Sequence, residues 1–473
     1  MTAASLKFGT SGLRGLVTDL EGEAARRYTA AFLAHLADRG DTGSGRVYIG
    51  RDMRPSSPAI AADCAAAIAA AGLEPVDCGV LPTPALALHA MAGEGAAIMV
   101  TGSHIPADRN GLKFYLPTGE IGKADEAGIT AALTGAKAAQ GEGRARDESQ
   151  AAARRYFERY AGLLPAGALA GWRVGVFEHS TVARGVLADV LSALGAEVVP
   201  LGRVEGFVAV DTEAFGDAVF APLAGWVREH GLDAIVSADG DGDRPLVMDG
   251  QGQFVRGDVL GLLTARFLKA DAVVTPVTSN SAIERTGYFD EVRRTRVGSP
   301  FVIAGMEEAL AAGARKVVGF EANGGTLLGS DVAVGSASLP ALPTRDAVLP
   351  ILAILALASA QGVSVAELVA GLPVRAALSD RLEHVPQERT AALLRRLREE
   401  PGFADGFFAE QGRIERVSEI DGLQFVLAGG DMVHYRPSGN APEMRCYVEG
   451  TTPGRAAELL AWGLKVAEAA VRS

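Results

Sequence analysis

Asp239, Asp241 and Asp243 alternate with Gly240 and Gly242, and Arg244 follows at once, giving DGDGDR. Three carboxylates at alternate positions on a glycine-rich turn can converge on one hard divalent cation, because glycine lets the backbone curl. Without a cation, packing three like charges is costly. A calcium EF-hand is excluded. That loop needs glycine at its sixth place and glutamate at its twelfth, and counting from Asp239 those places hold Arg244 and Gly250. Magnesium suits the loop better, and Arg244 beside it can hold a phosphate or a substrate oxygen. A solvated acidic turn is the plain alternative.

A second constellation reads MVTGSHIPADRNGLKFY over 99–115. Ser103 sits just past an apolar run, where its hydroxyl can project into a cleft. It can be a nucleophile activated by a base, or the carrier of a phosphoryl group. His104 can orient a phosphate or relay a proton, and Lys113 can neutralise developing negative charge. A Ser-His pair in a turn is also a common cap, and neither a GxSxG elbow nor a triad is present. In FEANGG, 320–325, Glu321 and Asn323 point the same way on an extended segment and can bond vicinal hydroxyls of a sugar. In RPSGNAP, 436–442, Arg436, the Ser438 hydroxyl, the backbone at Gly439 and the Asn440 amide can form an anion nest. Near the start, FGTSGLRG surrounds one arginine with three glycines, suggesting a shaped loop that aims Arg14. Each of these last three also reads as an ordinary loop or tail.

These residues need elements to carry them. Short apolar runs predict strands over 45–50, 73–80 and 96–101, with an alanine-rich helix over 58–71. A polar stretch near 137–150 marks a boundary. Strands over 172–177 and 196–202 then flank a helix over 185–194, and a strand over 232–238 runs into DGDGDR. A third block has a helix from 258, the strand AVVTPV, and a strand over 316–320 that runs into EANGG. Alternating strand and helix predicts α/β blocks with mainly parallel sheets, whose ligands sit at the carboxyl ends of strands. From about 372 the style changes to a charged helix over 387–400, alternating strands, and a closing helix over 453–473. The expected domains are 1–150, 151–252, 253–371 and 372–473.

Composition narrows the function classes. A chain of 473 residues predicts two to four domains. Its 58 glycines exceed the usual ~7% share and imply many tight turns. A net charge of −12 argues against a nucleic-acid binder, whose phosphate contacts need a basic surface, but a few local arginines suffice for a small anion. Cys64, Cys78 and Cys446 form no CxxC pair, so neither a disulfide framework nor a thiolate zinc site is expected. No signal-peptide pattern is visible and no apolar run approaches the ~20 residues of a membrane helix. A cytoplasmic protein without a membrane partner is the expectation.

Taken in order, FGTSGLRG, TGSHIP, DGDGDR, FEANGG and RPSGNAP resemble the α-D-phosphohexomutase superfamily over essentially the whole chain. SGLRG resembles the phosphomannomutase/phosphoglucomutase branch more than the glucosamine-phosphate branch, which usually has DGVRG. The resemblance implies three similar α/β domains and a smaller C-terminal α+β domain around a central cleft. It implies that Ser103 carries the phosphoryl group and that Asp239, Asp241 and Asp243 hold Mg²⁺ together with that residue. Glu321 and Asn323 would read sugar hydroxyls. Arg436, Ser438, Gly439 and Asn440 would grip the non-reacting phosphate. Arg14, His104, Lys113 and Arg244 would surround the reacting end. The implied reaction interconverts hexose 1-phosphate and 6-phosphate, of mannose and also of glucose, through a hexose 1,6-bisphosphate that also serves as activator. The chain departs from the family's usual loops at several places. TGSHIP stands for T-A/S-S-H-N-P, and EANGG stands for a loop often written E-x-S-G-H. RPSGNAP differs in its middle, and Gly298-Ser299-Pro300 stands where relatives can carry a histidine, lysine or aspartate. Two other readings remain. One is a Mg²⁺-dependent sugar phosphatase with a carboxylate nucleophile, which leaves FEANGG and RPSGN idle. The other is a non-catalytic sugar-phosphate binder.

Overall fold

The structure, a computed structural model, describes residues 5–9, 12–138, 141–438 and 442–472. It divides into two compact units, Met1–Val274 with Phe289–Glu291 and Gly298–Gly371, and Thr275–Tyr288 with Val292–Val297 and Leu372–Ser473.

The first unit repeats one device. A buried strand ends in a polar loop, and the chain then returns antiparallel beside it. Ala96–Val100 lies parallel to Arg46–Arg51, and Arg109–Leu116 returns along its other side, pairing Met99 with Lys113. Ala234–Ala238 lies parallel to Arg173–Phe177 and returns as Pro245–Asp249, pairing Ala238 with Pro245. Val317–Phe320 lies parallel to Ala272–Pro276 and returns as Thr326–Leu328, pairing Phe320 with Thr326. The outgoing strands are runs of small and β-branched residues, which suit a strand covered on both faces. Each loop is therefore pinned at both ends by a ladder. The stretch around Arg14 is pinned as well. Leu13–Leu16 adds antiparallel to Arg109–Leu116, with Arg14 opposite Gly111.

Helices cover these sheets. Ser57–Ala70 starts with proline in its first turn, where the missing N–H costs nothing. Its alanines let it bury Ile60, Cys64 and Ile68 against a core that includes Phe32 and Phe114. Val348–Gln361 reads VLPILAILALASAQ and is buried almost all round, ending on Gly362 at φ 65°. At its start sits a polar knot. Asp346 accepts from the backbone N–H of Val348 at 2.7 Å and from the hydroxyls of Tyr156, at 3.1 Å, and Tyr160. Both tyrosines come from the helix Ser149–Ala161. Asp346→Ala leaves those donors buried without an acceptor. It is expected to destabilise the protein by about 3 kcal/mol or more, read as a lower denaturant midpoint. An unchanged midpoint would show the knot to be dispensable.

The second unit is an antiparallel sheet in the order Ala376–Leu382, Met444–Gly450, Met432–Pro437, Leu423–Leu427, Ile414–Ser418. The helices Gln387–Glu399, Phe403–Phe408 and Pro453–Arg472 pack on it in a core that includes Leu393, Phe408, Phe425, Tyr435 and Leu459. The segment Thr275–Tyr288 is tied to this sheet, for Ser281 Oγ donates to Glu449 at 2.6 Å and Gln424 Nε2 to the Val277 carbonyl at 2.9 Å. Cys64, Cys78 and Cys446 are buried free thiols. Among the described residues, no helix is long and apolar enough to cross a membrane.

Candidate active site

Ser103 follows the buried strand Ala96–Val100 and adopts φ 52°, the left-handed region that a side chain disfavours. Thr101 holds this turn. Its hydroxyl accepts from the Ser103 N–H at 2.8 Å and donates to Asp52 at 2.8 Å. The turn presents the Ser103 hydroxyl to the DGDGDR loop, where Oγ donates to Asp239 Oδ2 at 2.5 Å. Ser103 and Asp239 are both buried.

The six residues of DGDGDR bridge the Ala238–Pro245 pair, so the loop must curl back on itself. Asp239 Oδ1 accepts from the backbone N–H groups of Asp243 and Arg244, each at 3.1 Å. Asp241 Oδ2 accepts from Thr83 Oγ1 and Lys113 Nζ, each at 2.6 Å. Asp243 Oδ2 accepts from Lys113 Nζ at 2.6 Å and from Arg345 Nη2 at 2.8 Å. The remaining oxygens, Asp241 Oδ1 and Asp243 Oδ1, are buried with no hydrogen-bond partner among the described residues. Buried unpaired carboxylate oxygens are costly unless something cationic meets them. One donor atom from each aspartate lies within 4.8 Å of the others. An all-carboxylate oxygen set of this kind fits Mg²⁺.

The charges tune one another. Burial, with Asp241 and Asp243 nearby, pushes the Asp239 carboxyl well above its ordinary range. Burial also disfavours the Asp243 anion, but Arg345, Lys113 and Arg244 outweigh it and hold that group below the usual carboxylate range. Lys113 is likewise desolvated, yet Asp241 and Asp243 keep it above its ordinary value. His104 is pushed down to about 2 by burial and by the guanidinium groups of Arg244 and Arg14. It is therefore a neutral imidazole. Its Nδ1 faces Arg244 Nη1 at 3.0 Å and Ser103 Oγ at 3.3 Å. Since arginine only donates, Nδ1 is the acceptor and the ring proton sits on Nε2. Arg14 is pulled down to about 10, first by burial and then by Arg244.

Arg14, His104, Lys113, Arg244 and the three aspartates thus gather around Ser103. Glu321 joins them through Arg345, whose Nη1 donates to Glu321 Oε2 at 2.8 Å. Asn323 is turned inward to its own loop, where Oδ1 accepts from the Gly325 N–H at 3.0 Å. Arg436 and Ser438 belong to the second unit. There Arg436 pairs with Asp421 at 3.2 Å, and the Ser438 N–H donates to the Glu443 carbonyl at 2.9 Å. Gly439 and Asn440 lie outside the described residues.

Sequence reasoning passed over Asp52, Arg54, Thr83 and Arg345. The first two had a signal, a charged cluster directly after the strand in GRDMRPSS. Thr83 and Arg345 had none beyond a polar residue in an apolar stretch.

This arrangement is made for moving a phosphoryl group. A hydroxyl faces an acidic cation loop and is ringed by arginine and lysine, which neutralise charge on a transferring phosphate. The phosphoglucomutase/phosphomannomutase α/β/α domain I profile matches residues 5–140, and the domain III profile matches 256–375. A phosphomannomutase of Sinorhizobium fredii (strain NBRC 101917 / NGR234) is 52% identical, over 97% of this chain and 98% of its own. A phosphomannomutase of Salmonella muenchen is 44% identical, over 94% and 92%. The crystal structure of a phosphoglucomutase/phosphomannomutase family protein from Burkholderia thailandensis shares the fold, with a TM-score of 0.76, 23% identity and coverage of 98% and 97%. The chain belongs to the α-D-phosphohexomutase superfamily. Its activity is that of a phosphohexomutase, an isomerase that works by phosphotransfer.

Proposed function

We propose that this chain interconverts the 1- and 6-phosphates of mannose, and of glucose, by way of phosphoserine at Ser103 and a hexose 1,6-bisphosphate. The observation that carries the reading is the Ser103 hydroxyl, 2.5 Å from Asp239 inside a ring of Arg14, Lys113, Arg244 and Arg345. The names of the two phosphomannomutase relatives support mannose.

In the proposed cycle the bond between Ser103 Oγ and phosphorus breaks as a sugar hydroxyl takes the phosphoryl group. The bisphosphate turns over, and its other phosphate returns to Ser103. Asp239, Asp241 and Asp243, with the phosphoserine, would hold Mg²⁺, which when bound neutralises charge on the transferring group. Lys113 and Arg244 add fixed positive charge on the protein side. Neutral His104 supplies a lone pair beside Oγ and orients the group there. Glu321 and Asn323 bind sugar hydroxyls, and the loop from Arg436 and Ser438 through Gly439 and Asn440 binds the other phosphate. A trace of hexose 1,6-bisphosphate serves as activator by loading Ser103. We assign these parts to domains 1–150, 151–252, 253–371 and 372–473. The four sheets of five or more strands support that division, with Phe254–Val255 pairing back to Pro245–Asp249 across the second boundary.

Phosphorus NMR tests this directly. Protein, Mg²⁺ and a trace of hexose 1,6-bisphosphate are mixed with mannose 1-phosphate or glucose 1-phosphate in parallel tubes. The expected result is growth of hexose 6-phosphate without free phosphate, faster with mannose. Accumulation of free phosphate would mean a phosphatase, and no change in either tube would reject both sugars as substrates.

A further inference from the structure

Arg345 lies on the strand Leu342–Asp346 and is 2% exposed. Its guanidinium reaches two loops. Nε and Nη2 donate to Asp243 Oδ2 at 3.2 and 2.8 Å, while Nη1 donates to Glu321 Oε2 at 2.8 Å. One rigid fork therefore joins the cation loop to the carboxylate of EANGG. The fork fixes Glu321 through its Oε2.

The neighbouring backbone is shaped to this side chain. A Cβ at Gly325 would stand 2.8 Å from Arg345 Cδ, 3.0 Å from Arg345 Cγ and 2.8 Å from the Asp243 carbonyl oxygen. No side chain fits at 325 while Arg345 stays where it is. Loops resembling this one often carry histidine at that place, and this chain has glycine there with arginine packed into the space. Residues 325 and 345 thus form one steric and electrostatic unit.

We propose that Arg345 is the positioning residue of the sugar loop. It holds Glu321 so that its carboxylate faces the hexose hydroxyls, in register with Asp243, and Gly325 is the partner that makes room for it. Lysine cannot replace it, because an ammonium is a point charge without a planar fork. This rests on the mutase reading, in which Glu321 binds the sugar.

The test compares the full-length wild type with Arg345→Lys and Gly325→His, by mutase kinetics and thermal melting. Loss of a charge-assisted bond to Glu321 in Arg345→Lys is expected to raise KM for the hexose phosphate about tenfold or more. Its kcat should change less, because Lys113 still donates to Asp243 at 2.6 Å. A merely structural arginine would lower the melting temperature without moving KM. Gly325→His should lower both stability and activity, because its Cβ meets both the Arg345 side chain and the Asp243 carbonyl. A wild-type KM in Arg345→Lys, or a Gly325→His variant as stable and as active as wild type, would overturn the inference while leaving the mutase reading intact. A wild-type chain that makes no hexose 6-phosphate would instead remove that reading, and the inference with it.

Discussion

Ser103→Ala is expected to lower hexose-phosphate mutase activity by roughly 10^4-fold or more, the scale seen when a nucleophile that acts as a unit with its surroundings is removed. The fold should barely notice. The lost hydroxyl makes one hydrogen bond to Asp239, a contribution of about 1 kcal/mol. Alanine at φ 52° meets the same backbone penalty as serine. The aspartates stay, so cation binding should survive, and a melt with and without Mg²⁺ should still show stabilisation by the ion. The variant separates the chemistries. A phosphatase using an aspartate nucleophile would go on releasing free phosphate, whereas a mutase would stop. Formation of hexose 6-phosphate from hexose 1-phosphate, followed beside phosphorylation of the intact protein by mass, reads both. Turnover within tenfold of wild type would remove Ser103 from the reaction.

Why Ser103 was legible from sequence, while its supports were not, comes down to range. DGDGDR and TGSHIP carry their chemistry within six residues, and the outgoing strands announce themselves as apolar runs such as LDAIVSA. Of the returning strands, Pro245–Asp249 and Thr326–Leu328 are short and Arg109–Leu116 is longer, and each follows a loop whose length does not fit a two-residue hairpin. Their pairing with the outgoing strand is what aims each loop, and periodicity over so few residues does not specify it. Lys113 reads as a loose cation ten residues after Ser103. Only the Met99–Lys113 pairing puts it beside the aspartates. Arg345 is further removed. Its partners Asp243 and Glu321 are 102 and 24 residues away, and no local pattern encodes a fork between them. Charged residues that end up fully buried were the hardest to read, because their hydrophilic character argues for the surface until a partner is known.

Arg54 shows what such a buried charge does, and its replacement is the other large effect expected. All five of its N–H donors are used. Nε bonds Asp52 Oδ2 at 3.1 Å. Nη1 bonds the carbonyls of Pro106 and Arg109 at 2.7 and 2.9 Å, and Nη2 bonds those of Ser103 and Ile105 at 3.0 and 2.5 Å. The ring of Phe207 covers the guanidinium at 4.1 Å. The serine loop is therefore wrapped around one cation, which holds the buried Ser103 carbonyl and reaches out to those of the more exposed Ile105, Pro106 and Arg109. Gly102 permits this closeness, since a Cβ there would stand 2.6 Å from Arg54 Cζ. Arg54→Met removes the cation paired with the buried Asp52 carboxylate and the donor to the buried Ser103 carbonyl, and breaking a buried pair this way costs about 3–5 kcal/mol. Arg54→Lys keeps the charge but gathers its three donors on one atom, so at most part of the wrap survives. It should fold with a melting temperature lowered by several degrees. The mutase reading predicts that its kcat falls at least about a hundredfold, because a misplaced nucleophile loses its attack geometry. KM should move much less, for Glu321 and the other sugar-loop groups are untouched. Gly102→Ala should reproduce the same pattern at smaller size, by pushing the guanidinium off the loop instead of removing it. Wild-type kcat in Arg54→Lys would show that the serine loop holds its geometry without this cation.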